Sequence, residues 1–159
     1  MGVCGGFQIL GERLVDTAGV AGDAGDEPGL GLLPVATEFH ADKIVRPVTG
    51  ECGGRRWPAY EIHMGRTTPT APCAPLHTVW DGDTPREEGV RCGRVWGTYL
   101  HGWFESPAVR AFVAEAAGFA AHRPHPVAWP EKRRAIYDAM ADHVAAHADL
   151  SPLRHYLGL

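Results

Sequence analysis

The stretch that most constrains what this chain can become is its opening, MGVCGGFQIL, where Cys4 lies among Gly2, Gly5 and Gly6 just ahead of an apolar helical pattern. Glycine neighbours offer no side chains for a cysteine to pack against, so the thiol reads as presented. A sharp strand-to-helix turn calls for glycines on either side, because its backbone is strained and a substrate must come close. Phe7, Ile9, Leu10 and Leu14 supply the helical spacing, with Gly11 weakening its middle by about 1 kcal/mol relative to alanine. The thiolate is the nucleophilic form of cysteine, and a helix start supplies partial positive charge and free N–H groups that favour it. The N–H of Gly5, the next residue, is placed to meet a developing oxyanion. Spacing alone leaves an inert buried thiol open as the alternative reading.

The 159 residues suit one domain, which would hide roughly two-thirds of its unfolded surface. A net charge of -4, spread along the chain, provides no basic stripe, so a nucleic-acid partner is not expected. No apolar run approaches the roughly 18 residues of a membrane span, and no leader pattern opens the chain, so a cytoplasmic protein without membrane contact is expected. Cys4, Cys52, Cys73 and Cys92 form no CxxC pair, which reads as reduced thiols. His143 and His147 stand one helical turn apart, a spacing that can bind zinc. No third ligand accompanies them, so a solvated helix face and no metal site are expected.

Residues 18–31, rich in glycine and acid, read as a loop. LLPVATEF, KIVRPVTG, RWPAYEIHMG and RVWGTYLHGWF hold β-branched and aromatic runs broken by Gly and Pro, the composition of strands. Ser106, Pro107 and Gly118 bracket a helix with Val109, Phe112, Val113 and Ala116 on its apolar side. A second helix is predicted from Pro130 to about Ala148, with Ile136, Met140 and Val144 along one face. Glu87 and Glu88, beside Pro85 and Gly89, read as a solvated turn. His40, His122 and His125 fall in loops or near strand ends and point to no role. The fold class is α/β.

Four motifs in order, GVCGGFQILG, GLGLLPV, AYEIHMGRT and GTYLHGWFES, resemble the C-terminal glutamine amidotransferase domain of CobQ-type cobyric acid synthases, over nearly the whole chain. The resemblance implies a class I, triad-type domain: a flavodoxin-like, three-layer arrangement of a mixed sheet flanked by helices, of which residues 1–159 form the C-terminal part. It implies a glutaminase that passes ammonia to an ATP-dependent synthetase domain, which amidates peripheral carboxylates of cobyrinic acid a,c-diamide. Cys4 matches the family nucleophile, His101 in TYLHG its general base, and Gln8 the pocket glutamine of G-x-C-x-G-x-Q. His63 in YEIHMG is read mainly as structural or pocket-lining, with a role as base kept as the alternative. A histidine suits the chemistry because it takes the thiol proton and later gives one to the departing amine. Many triad enzymes carry a glutamate two residues past the histidine; Trp103 stands there, Glu105 is the nearest carboxylate in sequence, and the orienting group is unassigned.

The strands and the oxyanion loop that precede the nucleophile in such domains are not in this sequence, and neither is a GxxxxGK[ST] phosphate loop. The chain therefore reads as a truncated or split piece. ATP and Mg²⁺ belong to the synthetase domain, and the partners are glutamine and, through that domain, a corrinoid. Open sheet edges would make the isolated chain less stable than its length suggests. The alternatives are a sister glutaminase, of cobyrinic acid a,c-diamide synthase or of peptidoglycan-precursor amidation, and a catalytically silent piece that packs against a synthetase partner.

Overall fold

Alternation of inward and outward side chains along two long strands organises the molecule. The computed structural model describes residues 1–119, 121 and 125–159. Strand β4 (Val35–Cys52) and strand β5 (Arg55–Pro69) form an antiparallel hairpin closed by Gly53 and Gly54, both at positive φ. A two-residue turn of type I′ requires that conformation at both positions, and glycine meets it without steric cost. On β5 the odd positions Trp57, Ala59, Glu61 and His63 are buried while Tyr60 is exposed, the period of two that a half-buried strand requires. The pairing of β4 with β5 slips between Phe39 and Ile44, and His40 falls inside that irregularity.

Around the hairpin lie β1 (Gly2–Val3), β2 (Arg13–Asp16), β3 (Gly25–Pro28), β6 (Ala74–Asp81), β7 (Thr84–Cys92), β8 (Val95–Thr98) and β9 (Leu100–His101). The sheet runs β1-β8-β7-β6-β4-β2-β3, with β5 joined to β4 and β9. Pairs β1/β8 and β2/β4 are parallel and the others antiparallel, so the sheet is mixed and, with its helices, makes the α/β architecture expected. The helices are α1 (Gly5–Leu10), α2 (Pro107–Ala116), α3 (Trp129–His147) and α4 (Ser151–Leu157). No described helix is long and apolar enough to cross a membrane.

One core cluster gathers Trp57, Leu100, Trp103 and Val109 with their neighbours; the other gathers Phe7, Leu33, Val35, Val90 and Tyr99. Trp57 meets Trp103 edge to face at 5.8 Å, a geometry that matches the positive rim of one ring to the negative face of the other. Helix α2 starts at Pro107 and ends through Gly118 at φ 86, as its sequence signals predict, and it seats Val109 in the first cluster. Ser106 occupies the N-cap position but makes no side-chain capping bond. Helix α3 spans nearly the predicted residues, yet it buries no residue, and Ile136, Met140 and Val144 stay exposed.

Several expectations need correction. Leu14 lies in β2, because Gly11 ends α1 instead of weakening its middle. The stretch 18–31 contains an edge strand, β3, paired along its length with β2. Strands β6 and β7 were not foreseen, and Glu88 is buried in β7, while its neighbour Glu87 faces solvent. Glu88 is tolerated inside because its carboxylate is saturated: it accepts from His77 Nε2 at 2.5 Å, Thr98 Oγ1 at 2.7 Å and the Tyr99 N–H at 2.7 Å. His122 lies outside the described residues.

Glu61 is another buried acid, 2% exposed, and its Oε2 accepts from Arg46 Nε at 2.7 Å and from Arg86 Nη2. Burial pushes its carboxyl up, but the two guanidinium bonds outweigh burial and hold it below the usual carboxylate range. A carboxylate whose folded value is depressed adds stability above its unfolded value, near pH 4.3, and loses it as pH falls toward the folded one. Urea titrations across that range should show Glu61→Gln less stable than the parent by on the order of 2 kcal/mol at neutral pH, with the gap narrowing below about pH 4.

Candidate active site

Strand β1 delivers the chain directly to Cys4, whose backbone sits at φ 53, ψ -116, the single positive φ among described residues other than glycine. Such a conformation costs on the order of 1–3 kcal/mol and persists only where the surroundings impose it. Three hydrogen bonds impose it here. The Cys4 N–H donates to the Thr98 carbonyl at 2.8 Å, and the Cys4 carbonyl accepts from the N–H groups of Phe7 at 2.9 Å and Gln8 at 3.1 Å. Gly2 is required by close approach: a Cβ there would stand 2.4 Å from the Gly6 carbonyl oxygen and 2.7 Å from Leu10 Cδ1. Gly5 and Gly6 are not crowded by the chain's own atoms.

The Cys4 side chain is half-buried, and its Sγ lies 3.6 Å from the Ile62 carbonyl of β5. His101 arrives from β9, where it pairs with Tyr60 of β5. The contact points of Cys4 and His101 are thus two residues apart on β5, about 7 Å along the strand. Leu100 turns into the core at 0% exposure, which sends the adjacent His101 to the opposite face, against the Tyr60 ring. His101 Nε2 is buried and has no hydrogen-bond partner among the described residues. Trp103, at the position of the glutamate in many triad enzymes, is packed in the core.

Gln8 and His63 converge on Tyr99. The Gln8 amide donates to the Tyr99 hydroxyl at 3.2 Å; that hydroxyl is 2.6 Å from Thr67 Oγ1, itself 2.7 Å from Thr37 Oγ1. The His63 ring stacks on Tyr99 with centroids 3.7 Å apart, and its Nδ1 lies 2.8 Å from the Gly65 carbonyl. Because a carbonyl only accepts, Nδ1 carries the proton and Nε2 presents a lone pair. Burial lowers the His63 pKa below the ordinary histidine value, which keeps that neutral ring at pH 7. Tyr99 was missed as a site residue, although it stands inside the TYLHG motif.

The CobB/CobQ-like glutamine amidotransferase domain matches residues 1–109. The chain belongs to the CobB/CobQ-like glutamine amidotransferase family. It is 42% identical to a cobyric acid synthase of Roseiflexus castenholzii over 92% of this chain and 31% of that protein. It is 39% identical to one of Mycolicibacterium vanbaalenii over 96% of the chain and 29% of that protein, and 38% identical to one of Bacteroides fragilis over 94% and 30%. The chain spans less than a third of the length of these relatives.

Within this amidotransferase domain a cavity of about 500 Å³ opens beside the cluster, lined by Phe7, Glu61, His63, Arg86 and Tyr99 among others. Neither Cys4 nor His101 lines it, whereas His63 does. No group of three metal-ligating side chains occurs among the described residues, and His147 Nδ1 bonds the His143 carbonyl at 2.8 Å on an exposed helix face.

The strain at Cys4 is measurable in the amidotransferase domain by comparing two variants that both lack the thiol. Alanine retains the disfavoured φ and glycine relieves it, while glycine loses about 0.4–1 kcal/mol through the unfolded chain. The relief of about 1–3 kcal/mol exceeds that loss, so Cys4→Gly should unfold at higher urea than Cys4→Ala. A Cys4→Gly variant less stable than Cys4→Ala by the full 0.4–1 kcal/mol or so would place no strain at the turn.

Proposed function

We propose that this chain is the glutamine-hydrolysing part of a cobyric acid synthase. The observation that carries the reading is the backbone of Cys4, a non-glycine residue held at positive φ between a strand and a helix. A strained nucleophile on such a turn projects its side chain clear of the backbone toward a substrate.

In the proposed reaction the Cys4 Sγ–H proton passes to His101, and the thiolate adds to the side-chain amide carbon of glutamine. The Gly5 N–H stabilises the negative oxygen of the tetrahedral adduct. The imidazolium returns its proton to the amide nitrogen, the C–N bond breaks, and ammonia leaves a γ-glutamyl thioester. Water, deprotonated by His101, then releases glutamate and restores the thiol. Gln8, through Tyr99, and His63 shape the glutamine side of the site.

The ammonia is used, in this reading, by a synthetase region outside the chain, which activates corrinoid carboxylates with ATP and Mg²⁺. The chain holds no GxxxxGK[ST] stretch, and no step assigned to its residues runs through the nucleotide. Amidation by a ligase with glutamine as donor is the overall class. The curated relatives carry the name cobyric acid synthase, which favours that reading over a sister glutaminase.

Release of glutamate from glutamine tests the reading directly. The chain should hydrolyse glutamine, and Cys4→Ser and His101→Ala should each reduce the rate by about 1000-fold or more. No hydrolysis by the parent chain would favour a silent domain that only packs against a synthetase, and a Cys4→Ser variant at parental rate would remove the thiol from the mechanism.

A further inference from the structure

The imidazole of His101 is not held by a carboxylate. No salt bridge among the described residues includes it, and the position where a triad glutamate would stand holds the core residue Trp103. A histidine at a strand end has a broad torsion about its ring axis, so a base that must face one sulfur needs something to fix its plane. The structure offers one contact suited to that task. Tyr60 lies opposite His101 in the β5/β9 register, and the two rings stack with centroids 4.9 Å apart and planes 9° from parallel.

Tyr60 has no comparable packing duty. It is 46% exposed, on the side of β5 opposite to the buried Ala59, Glu61 and His63. A face-to-face contact restrains the ring plane without consuming either nitrogen. When the Cys4 Sγ–H bond breaks and the proton moves to the ring, the imidazolium gains from the electron-rich face of the phenol.

We propose that Tyr60 is the positioning residue of the site, orienting the His101 imidazole in place of the carboxylate of triad amidotransferases. The inference rests on the reading of His101 as the base. A carboxylate partner would leave one nitrogen committed; the Tyr60 ring leaves neither committed.

The chloroketone analogue of glutamine, L-2-amino-4-oxo-5-chloropentanoate, separates the two claims. It alkylates a thiolate with loss of chloride, and peptide mass mapping distinguishes Cys4 from the other free cysteines, Cys52, Cys73 and Cys92. The saturation curve for labelling of the 159-residue chain yields a maximal rate and a half-saturation concentration. Tyr60→Leu should lower the maximal rate about two- to fivefold at unchanged half-saturation, and Tyr60→Phe, which keeps the ring, should recover most of it. In proton NMR the His101 ring signals should be displaced upfield by the Tyr60 ring in the parent and in Tyr60→Phe, and not in Tyr60→Leu. Slow labelling in His101→Ala combined with a parental rate in Tyr60→Leu, or ring signals that Tyr60→Leu leaves in place, would overturn the positioning role alone. Parental labelling in His101→Ala would overturn the assignment of the base, and the role of Tyr60 with it.

Discussion

The hydrogen bond from the Cys4 N–H to the Thr98 carbonyl, with the two bonds returned to the Cys4 carbonyl, is the constraint on which the rest of the site depends. It joins the turn after β1 to the end of β8, and β8 continues at once into Tyr99, Leu100 and His101. The same few residues therefore lock the strained cysteine and deliver the histidine. A cysteine at φ 53 is disfavoured on its own, and here it is over-determined by backbone bonds and by the absence of a side chain at Gly2.

Strand β5 is the second organising element. Its Ile62 carbonyl meets the thiol, its Tyr60 meets His101, and its Glu61 and His63 face the interior beside the cavity. Two buried carboxylates stabilise this arrangement only because each is paired: Glu61 by two guanidinium groups, Glu88 by an imidazole, a hydroxyl and a backbone N–H. Glu88 is especially well placed, since its backbone partner is Tyr99, the residue on which Gln8 and His63 converge. Loss of a charge partner in such networks leaves a buried group unpaired, which costs more than the bond itself contributes.

Much of the site was legible in the residues. The glycines around Cys4 marked the turn, the order of four motifs pointed to the amidotransferase family, and Ser106, Pro107 and Gly118 bracketed α2. What stayed hidden had a common cause. Strands β6 and β7 carry His77, Arg86 and Glu88 at inward positions, so their pattern imitates a polar turn until the partners that neutralise them are known from the fold. Strand β3, with the sequence GDEP, is exposed along its length and is held by pairing with β2, without apolar burial of its own. The rings of Tyr60 and Tyr99 face those of His101 and His63 across strands, contacts between residues distant in sequence, which periodicity within one strand does not encode.

The central claim is that Cys4 is the nucleophile of glutamine hydrolysis. Acid quenching of the chain during turnover of glutamine, followed by peptide mass mapping, reads it most directly. The account predicts a γ-glutamyl group on the peptide that holds Cys4 and on no other cysteine peptide. A γ-glutamyl group on Cys52, Cys73 or Cys92, or glutamate release from a chain whose Cys4 is blocked, would contradict it.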